Sequence, residues 1–331
     1  MSQFVHPLMA FAAPARAGAS AWRTLAGLAL AAAFVFGFVE VARLGMAAAL
    51  FGGAAEPTLP WDARSPASPL GVLLILGVFL AVWPALWVVL PMVHRRRGAT
   101  LFGPRGRLDW RHFRYGLAVS LIVGVVAWSP LVVAERASLD LFGRLETWAT
   151  FAAIAVPLVF VQCAAEELLF RGYLLQQFAA RSFSVLGWSV VPSLLFAYAH
   201  PSETGFLGLS WYHFVFGLIM AAVTSRTANL GGAIGLHFGH NLVNLLLIAP
   251  EAHVSGLALY RVPESVETSG PHVTYLVIMF VGAALFMGWM DLQFIRRWRE
   301  AKKAKAAAAD AARAEADAVR ARPGRASIAA E

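Results

Sequence analysis

The sequence predicts an all-α, polytopic integral membrane protein with about eight transmembrane helices. Of its 331 residues, 59% are hydrophobic and 14% are charged, whereas a soluble globular domain has roughly 25% charged residues. The mean hydropathy is +0.65, and apolar runs of about 20 residues, the length that crosses a bilayer, recur along the chain. This composition excludes an ordinary cytoplasmic enzyme, a disordered chain and a disulfide-stabilised scaffold.

Each predicted span is an apolar run bounded by polar or turn-forming residues. The eight spans are residues 22–50, 69–93, 115–134, 148–180, 186–204, 206–224, 229–249 and 272–295. We extend the fourth span to about residue 180, because Glu166 would lie near the cytoplasmic face if the span ended at Phe170. Prolines inside several spans predict kinked helices, since neighbouring helices can satisfy the carbonyls that proline leaves free.

The distribution of lysine and arginine predicts the orientation in the membrane. With the N-terminus inside, 22 of the 27 Lys and Arg residues fall in cytoplasmic segments and 4 in outer loops. Positive charge favours the cytoplasmic side, so both termini are expected in the cytoplasm. The net charge of +8 therefore reflects the orientation of the chain in the membrane. We expect the lipid bilayer as a partner and no binding of nucleic acid.

Ionisable side chains within the bilayer are costly and mark function by default. The fourth span contains Glu166, Glu167 and Arg171. At helical spacing Glu167 and Arg171 share a face and can pair. Glu166 then points elsewhere, along a stripe with Gln162 and roughly with Tyr173 and Gln177, and is free for a task that needs a carboxylate.

Two later spans add histidines and amides. Phe196 and His200 share a helix face, so the phenyl ring can form a wall beside the imidazole. In the seventh span a polar stripe lies opposite a seam of three glycines spaced one turn apart, and small residues at that spacing let helices approach closely. The stripe consists of His237, His240, Asn241 and Asn244, and the seam of Gly231, Gly235 and Gly239.

These groups suit hydrolysis. Glu166 can take a proton from water, with His200 holding the same water. His237 and Asn241 can donate hydrogen bonds to a developing oxyanion. A zinc ion held by Glu166, His200 and His237 is the alternative, although asparagine is an uncommon zinc ligand and we favour no cofactor. Cys163 is disfavoured as a nucleophile because negative neighbours disfavour its thiolate.

The three motifs in this order, Glu-Glu-x-x-x-Arg, Phe-x-x-x-His and His-x-x-x-Asn, resemble those of the CAAX prenyl endopeptidase-like (CPBP/ABI) family of intramembrane proteases. The resemblance implies that Glu166 and His200 activate water and that His237 and Asn241 form an oxyanion hole, on a bacterial-type inner membrane. The supporting residues are Glu167, Arg171 and Phe196, to which the polar stripe adds His240. Its expected substrates are membrane-associated proteins or peptides.

The resemblance divides the chain into five segments. These are a cytoplasmic N-terminal segment (1–21), N-terminal transmembrane helices of unassigned role (22–144), a CPBP-like catalytic core (145–250), an outer loop with the last transmembrane helix (251–295) and a basic, alanine-rich cytoplasmic tail (296–331). The alternative function is a non-catalytic scaffold, immunity protein or transporter that uses the same buried groups. A protease needs these groups to converge on one site, whereas a proton relay needs them in a file across the membrane.

The charge distribution yields a topology prediction. Reporter fusions at Ala67 and Val266 should read as outside, and fusions at Gly98 and Ala307 as inside, because seven arginines lie between residues 95 and 114. A reversed result at Gly98 would contradict the span assignment.

Overall fold

The computed structural model describes residues 6–51, 68–135, 145–200, 209–251, 254–263, 266 and 269–320, and α-helices dominate these ranges. The α-helices are α1 (Pro7–Ala12), α2 (Ala21–Phe51), α3 (Pro69–Val78), α4 (Val82–His94), α5 (Trp110–Glu135), α6 (Leu145–Glu167), α7 (Gln176–Arg181), α8 (Val191–Tyr198), α9 (Trp211–Thr227), α10 (Gly231–Asn241) and α11 (Ser269–Arg320). The all-α prediction is confirmed.

Several helices join end to end through tighter or wider turns. The 3₁₀ segments are Ala13–Gly18, Phe79–Ala81 and Gly98–Phe102, and the π-helical segments are Leu168–Leu175, Leu186–Val190 and Leu242–Leu247. Two π segments begin directly after Glu167 and Asn241, the residues that end α6 and α10. Such π turns occur frequently at functional sites.

Within the described ranges, five helical stretches have the length and apolar composition to cross a membrane. They are Ala21–Gly45, Pro69–His94, Trp110–Ala134, Trp148–Arg181 and Gly270–Trp289. The fourth continues to Arg181, as the sequence analysis expected. The other three predicted spans correspond to shorter helices, namely the segment Leu186–Tyr198, α9 and α10 with its π extension.

Two boundaries differ from the predicted ones for local reasons. Helix α5 begins at Trp110, five residues before the predicted start, because Asp109 caps it: its Oδ1 accepts hydrogen bonds from the backbone N–H groups of Arg111 (3.0 Å) and His112 (3.2 Å). The seventh span loses helical form before residue 249. There strand β1 (Ile248–Pro250) pairs in parallel with β2 (Tyr260–Val262), with Ile248 opposite Tyr260, a pairing that the apolar pattern did not indicate.

The predicted glycine seam brings α10 against α5. A Cβ added at Gly235 would overlap the carbonyl oxygen of Phe113, and one added at Gly231 would overlap that of Asp109. At Gly239 the added atom would lie 2.8 Å from the Cβ of Ser120. The two backbones therefore touch, and this contact fixes the direction of the polar stripe on α10.

The chain divides into two units, one ending at Ala283 and the other beginning at Ala284. The first unit contains every residue that the sequence analysis placed in the candidate site. The second contains the C-terminal part of α11, where the described lysine side chains are exposed.

The backbone contact between α5 and α10 yields a stability prediction. Gly235→Ala should destabilise the protein by about 1–3 kcal/mol because an overpacked contact must push the helices apart. Gly77→Ala is the matched control, since a Cβ there meets no atom within 4 Å. Thermal unfolding in detergent measures both variants, and equal unfolding midpoints would contradict the seam.

Candidate active site

The Glu167 carboxylate joins two helices. Its side chain is fully buried, and its Oε1 accepts one hydrogen bond from Nη1 of Arg171 at 2.9 Å and another from Nδ1 of His237 at 2.9 Å. The predicted Glu167–Arg171 pair is therefore present. Because His237 lies on α10, the same oxygen also links the helix of the first motif to that of the third.

Glu166, the adjacent carboxylate, has a different environment. Its Oε1 accepts a hydrogen bond from Nε2 of Gln162 at 2.7 Å. Its Oε2 is buried without a hydrogen-bond partner and lies 3.6 Å from Nε2 of His237. One carboxylate oxygen is thus held in place, and the other stays available beside an imidazole.

The contacts of His237 fix which ring nitrogen faces Glu166. An imidazole nitrogen close to a carboxylate oxygen carries its proton, so Nδ1–H donates to Glu167. In a neutral ring the lone pair then lies on Nε2, toward Glu166. A doubly protonated ring would instead donate from Nε2, with the two carboxylates on either side of it.

Gln162 connects the available carboxylate to the third motif. While its Nε2 donates to Glu166, its Oε1 accepts from Nδ2 of Asn241 at 2.8 Å. The same oxygen accepts from Sγ of Cys163 at 3.2 Å, and this thiol is fully buried. One buried amide therefore sets the relative position of Glu166 and Asn241.

The second motif adjoins this group through Phe196. The ring centroid of Phe196 lies 4.5 Å from that of His200, 6.0 Å from that of His237 and 4.5 Å from the guanidinium carbon of Arg171. His200 donates from Nδ1 to the carbonyl oxygen of Phe196 at 2.8 Å, and its ring stacks on His213 at 4.1 Å. Its Nε2 is thus the nitrogen left for a water or substrate.

His240 belongs to a second polar group on another side of α10. Its ring lies near the hydroxyl of Tyr212, at 3.3 Å from Nε2, and near the amide of Asn244, at 2.9 Å from Nδ1. The ring of Tyr275 follows at 4.5 Å. The described contacts of His240 are therefore with Tyr212, Asn244 and Tyr275, and its supporting role stays a prediction.

Sequence reasoning missed two contributors. Gln162 was noted as a stripe neighbour of Glu166 but not as a site residue, because its link to Asn241 crosses between helices. No motif in the sequence indicates His213. A serine three residues before it, Ser210, is a typical helix N-cap, and in the structure it caps α9 with its Oγ 2.7 Å from Nδ1 of His213.

Three of the four residues predicted to be catalytic lie close together. Gln162 bonds to both Glu166 and Asn241, and His237 lies 3.6 Å from Glu166. The described contacts of His200 are instead with Phe196 and His213. Farther along the same helical stretch, Tyr173 and Gln177 bond to Thr24 and His94.

A zinc site needs three protein ligands in one place. Among the described residues, no three side chains of His, Cys, Asp or Glu are grouped in that way. Glu166 and His237 supply two adjacent donors, and a third donor beside this pair is what a zinc ion would need.

The comparisons with known proteins agree with the geometry. Residues 148–243 match the family described as type II CAAX prenyl endopeptidase Rce1-like. This segment is Rce1-like. It contains all eight predicted site residues, and the resemblance drawn from the motifs is confirmed. The helices make the chain a multi-pass membrane protein.

A curated relative is similar over about half of this chain. The uncharacterized protein YyaK of Bacillus subtilis (strain 168) is 25% identical over 185 residues, which is 54% of this chain and 62% of the relative. The match thus spans less than two thirds of that relative. No solved structure matches the chain.

The shared oxygen of Glu167 yields a prediction for stability. Glu167→Ala and Arg171→Ala should each destabilise the protein by about 3–5 kcal/mol, because each leaves a buried charge without its partner. The double variant should lose less than the sum of the single losses. Unfolding free energies of the four proteins test this, and strict additivity would show that the side chains are not coupled.

Proposed function

We propose that the protein is an intramembrane endopeptidase of the CAAX-protease type that hydrolyses peptide bonds in membrane-associated proteins or peptides. The observation that supports this most is the free Oε2 of Glu166. It is a buried carboxylate oxygen without a hydrogen-bond partner, 3.6 Å from an imidazole nitrogen, in an Rce1-like segment.

Glu166 acts as the general base. Its Oε2 has no hydrogen-bond partner, so it can accept a hydrogen bond of about 2.8 Å from a water molecule. The water oxygen bonds to the scissile carbonyl carbon while its proton moves to Glu166. The π electrons of the carbonyl shift to its oxygen, which becomes the oxyanion.

The third motif stabilises that oxyanion. Asn241 donates from its amide, which Gln162 holds in position at 2.8 Å. His237 is the second donor, through the Nε2 that faces Glu166. Donors fixed in advance cost no reorganisation when the charge develops.

The remaining residues complete the cycle. The proton on Glu166 passes to the leaving nitrogen as the carbon–nitrogen bond breaks and the carbonyl re-forms. Arg171 pairs with Glu167, and the same carboxylate oxygen accepts from Nδ1 of His237 and so orients its ring. We assign His200 a second contact to the water, through the Nε2 that its bond to Phe196 leaves open.

The cellular setting follows from the charge distribution and the resemblance. We propose a multi-pass protein of a bacterial-type inner membrane, with both termini in the cytoplasm and 22 of its 27 Lys and Arg residues on that side. Substrates then enter laterally from the bilayer as membrane-anchored proteins or peptides.

The first prediction from this mechanism concerns the base. Glu166→Gln should abolish hydrolysis while leaving folding intact, since glutamine can still accept from Gln162 but cannot take a proton from water. Comparative proteomics of membranes that contain the wild type or the variant would identify peptides that accumulate uncleaved. The purified proteins would then be assayed on those peptides.

Glu146→Gln serves as the matched control for that experiment. Glu146 is an exposed carboxylate in the first turn of the same helix, so its neutralisation should not change turnover. Undiminished hydrolysis by purified Glu166→Gln would refute Glu166 as the base.

The second prediction concerns metal. We propose hydrolysis without a metal ion, so activity should survive exhaustive chelation. His237→Ala should lower kcat by about 10²–10³-fold, the usual effect of losing one oxyanion donor. Elemental analysis showing about one zinc per chain, lost together with activity in His237→Ala, would instead establish a metalloprotease.

A further inference from the structure

A second buried polar group lies away from Glu166, on the C-terminal extension of the same helical stretch. We name it the helix-end cluster. Its members are five buried polar side chains from three helical stretches: Thr24, His94, Tyr173, Gln176 and Gln177. The hydroxyl of Tyr173 lies 2.8 Å from Nε2 of His94, and Nε2 of Gln177 lies 3.1 Å from Nδ1 of the same ring.

Three arginines surround this cluster. Arg23, Arg96 and Arg181 all act electrostatically on His94. Arg181 donates to Oγ1 of Thr24 at 3.2 Å. Each arginine lies at or within two residues of the end of a different candidate span, Ala21–Gly45, Pro69–His94 or Trp148–Arg181. Three span ends thus meet at one membrane surface, where phospholipid headgroups lie.

Arg96 has only part of its hydrogen-bonding capacity used. Its Nη1 donates to Oε1 of Gln176 at 2.5 Å and to Oγ1 of Thr100 at 3.3 Å. Its Nε and Nη2, which form the other edge of the guanidinium plane, are buried without a hydrogen-bond partner. Burial also lowers the pKa of Arg96 to about 10.

Unpaired N–H groups and uncompensated charge are both costly in a protein interior. Among the residues that the structure describes, the salt bridges involve none of Arg23, Arg96 and Arg181. The free Nε–Nη2 edge has the fork geometry that binds two oxygens of one oxyanion. Basic pockets between transmembrane helices bind anionic lipid headgroups by this chemistry.

We propose that the helix-end cluster is a binding site for a phosphate oxyanion, held by the free edge of Arg96 with Arg23 and Arg181 around it, and that an acidic phospholipid headgroup supplies it. Because Gln176 contacts Arg96 and follows the helical stretch that contains Glu166 and Glu167, a bound headgroup braces the helix of the candidate active site.

The test uses the purified full-length chain in a neutral detergent. The thermal unfolding midpoint is followed during titration with phosphatidylglycerol, with zwitterionic phosphatidylcholine and with inorganic phosphate. Phosphatidylglycerol should raise the midpoint of the wild type, and Arg96→Gln should need about tenfold more of this lipid for the same shift, as expected for the loss of a charge-assisted hydrogen bond. Arg97→Gln removes the same charge from an exposed neighbour and should behave as the wild type.

Each outcome decides the proposal. Equal phosphatidylglycerol titrations for the wild type and Arg96→Gln would overturn it, as would equal weakening in Arg96→Gln and Arg97→Gln, which would indicate unspecific surface charge. A midpoint shift with inorganic phosphate that Arg96→Gln abolishes would support the oxyanion site with free phosphate as its source. If Arg96→Gln does not fold, Arg96→Lys retains the charge but lacks the forked edge, and it should show the same weakening.

Discussion

The candidate site depends on one oxygen atom. Oε1 of Glu167 accepts from Arg171 within its own helical stretch and from His237 on α10, both at 2.9 Å and fully buried. This oxygen sets the rotamer of His237, fixes which nitrogen of its ring carries a proton and turns the other nitrogen toward Glu166. Without Arg171 the buried carboxylate would lack a compensating charge, which is severely destabilising in a protein interior. The ion pair is therefore a positioning device for the third motif.

Side chains can meet in this way only because the backbones approach closely elsewhere. The glycines at positions 231, 235 and 239 bring α10 against the carbonyl oxygens of α5, and the opposite face of α10 then points at α6. Lipid tails provide no hydrophobic driving force between helices, so small residues at the contact are a principal source of packing energy. The same seam thus provides stability and aims the histidine and asparagine stripe.

Short-range relations were predictable from the sequence, whereas relations between helices were not. The Glu167–Arg171 pair, the Gln162–Glu166 neighbourhood and the wall of Phe196 beside His200 all follow from helical spacing. The link between Gln162 and Asn241 depends on how two helices are rotated against each other, which periodicity does not contain. Periodicity also does not contain the π segment that begins at Leu168. The order of the three motifs indicated which residues belong to the candidate site, but it did not give the distances between them.

The two adjacent glutamates show how one residue type acquires two tasks. Neighbouring helix positions point about 100° apart, so Glu167 faces Arg171 while Glu166 faces Gln162, an uncharged donor. The formal charges of Arg171 and Glu167 cancel. Glu166 also lies 3.6 Å from Nε2 of His237. The Oε2 of Glu166, which has no hydrogen-bond partner, can take a proton from the attacking water and return it to the leaving nitrogen, and the proposed hydrolysis requires both transfers. The different partners of the two carboxylates therefore separate a positioning task from the proposed task of the base.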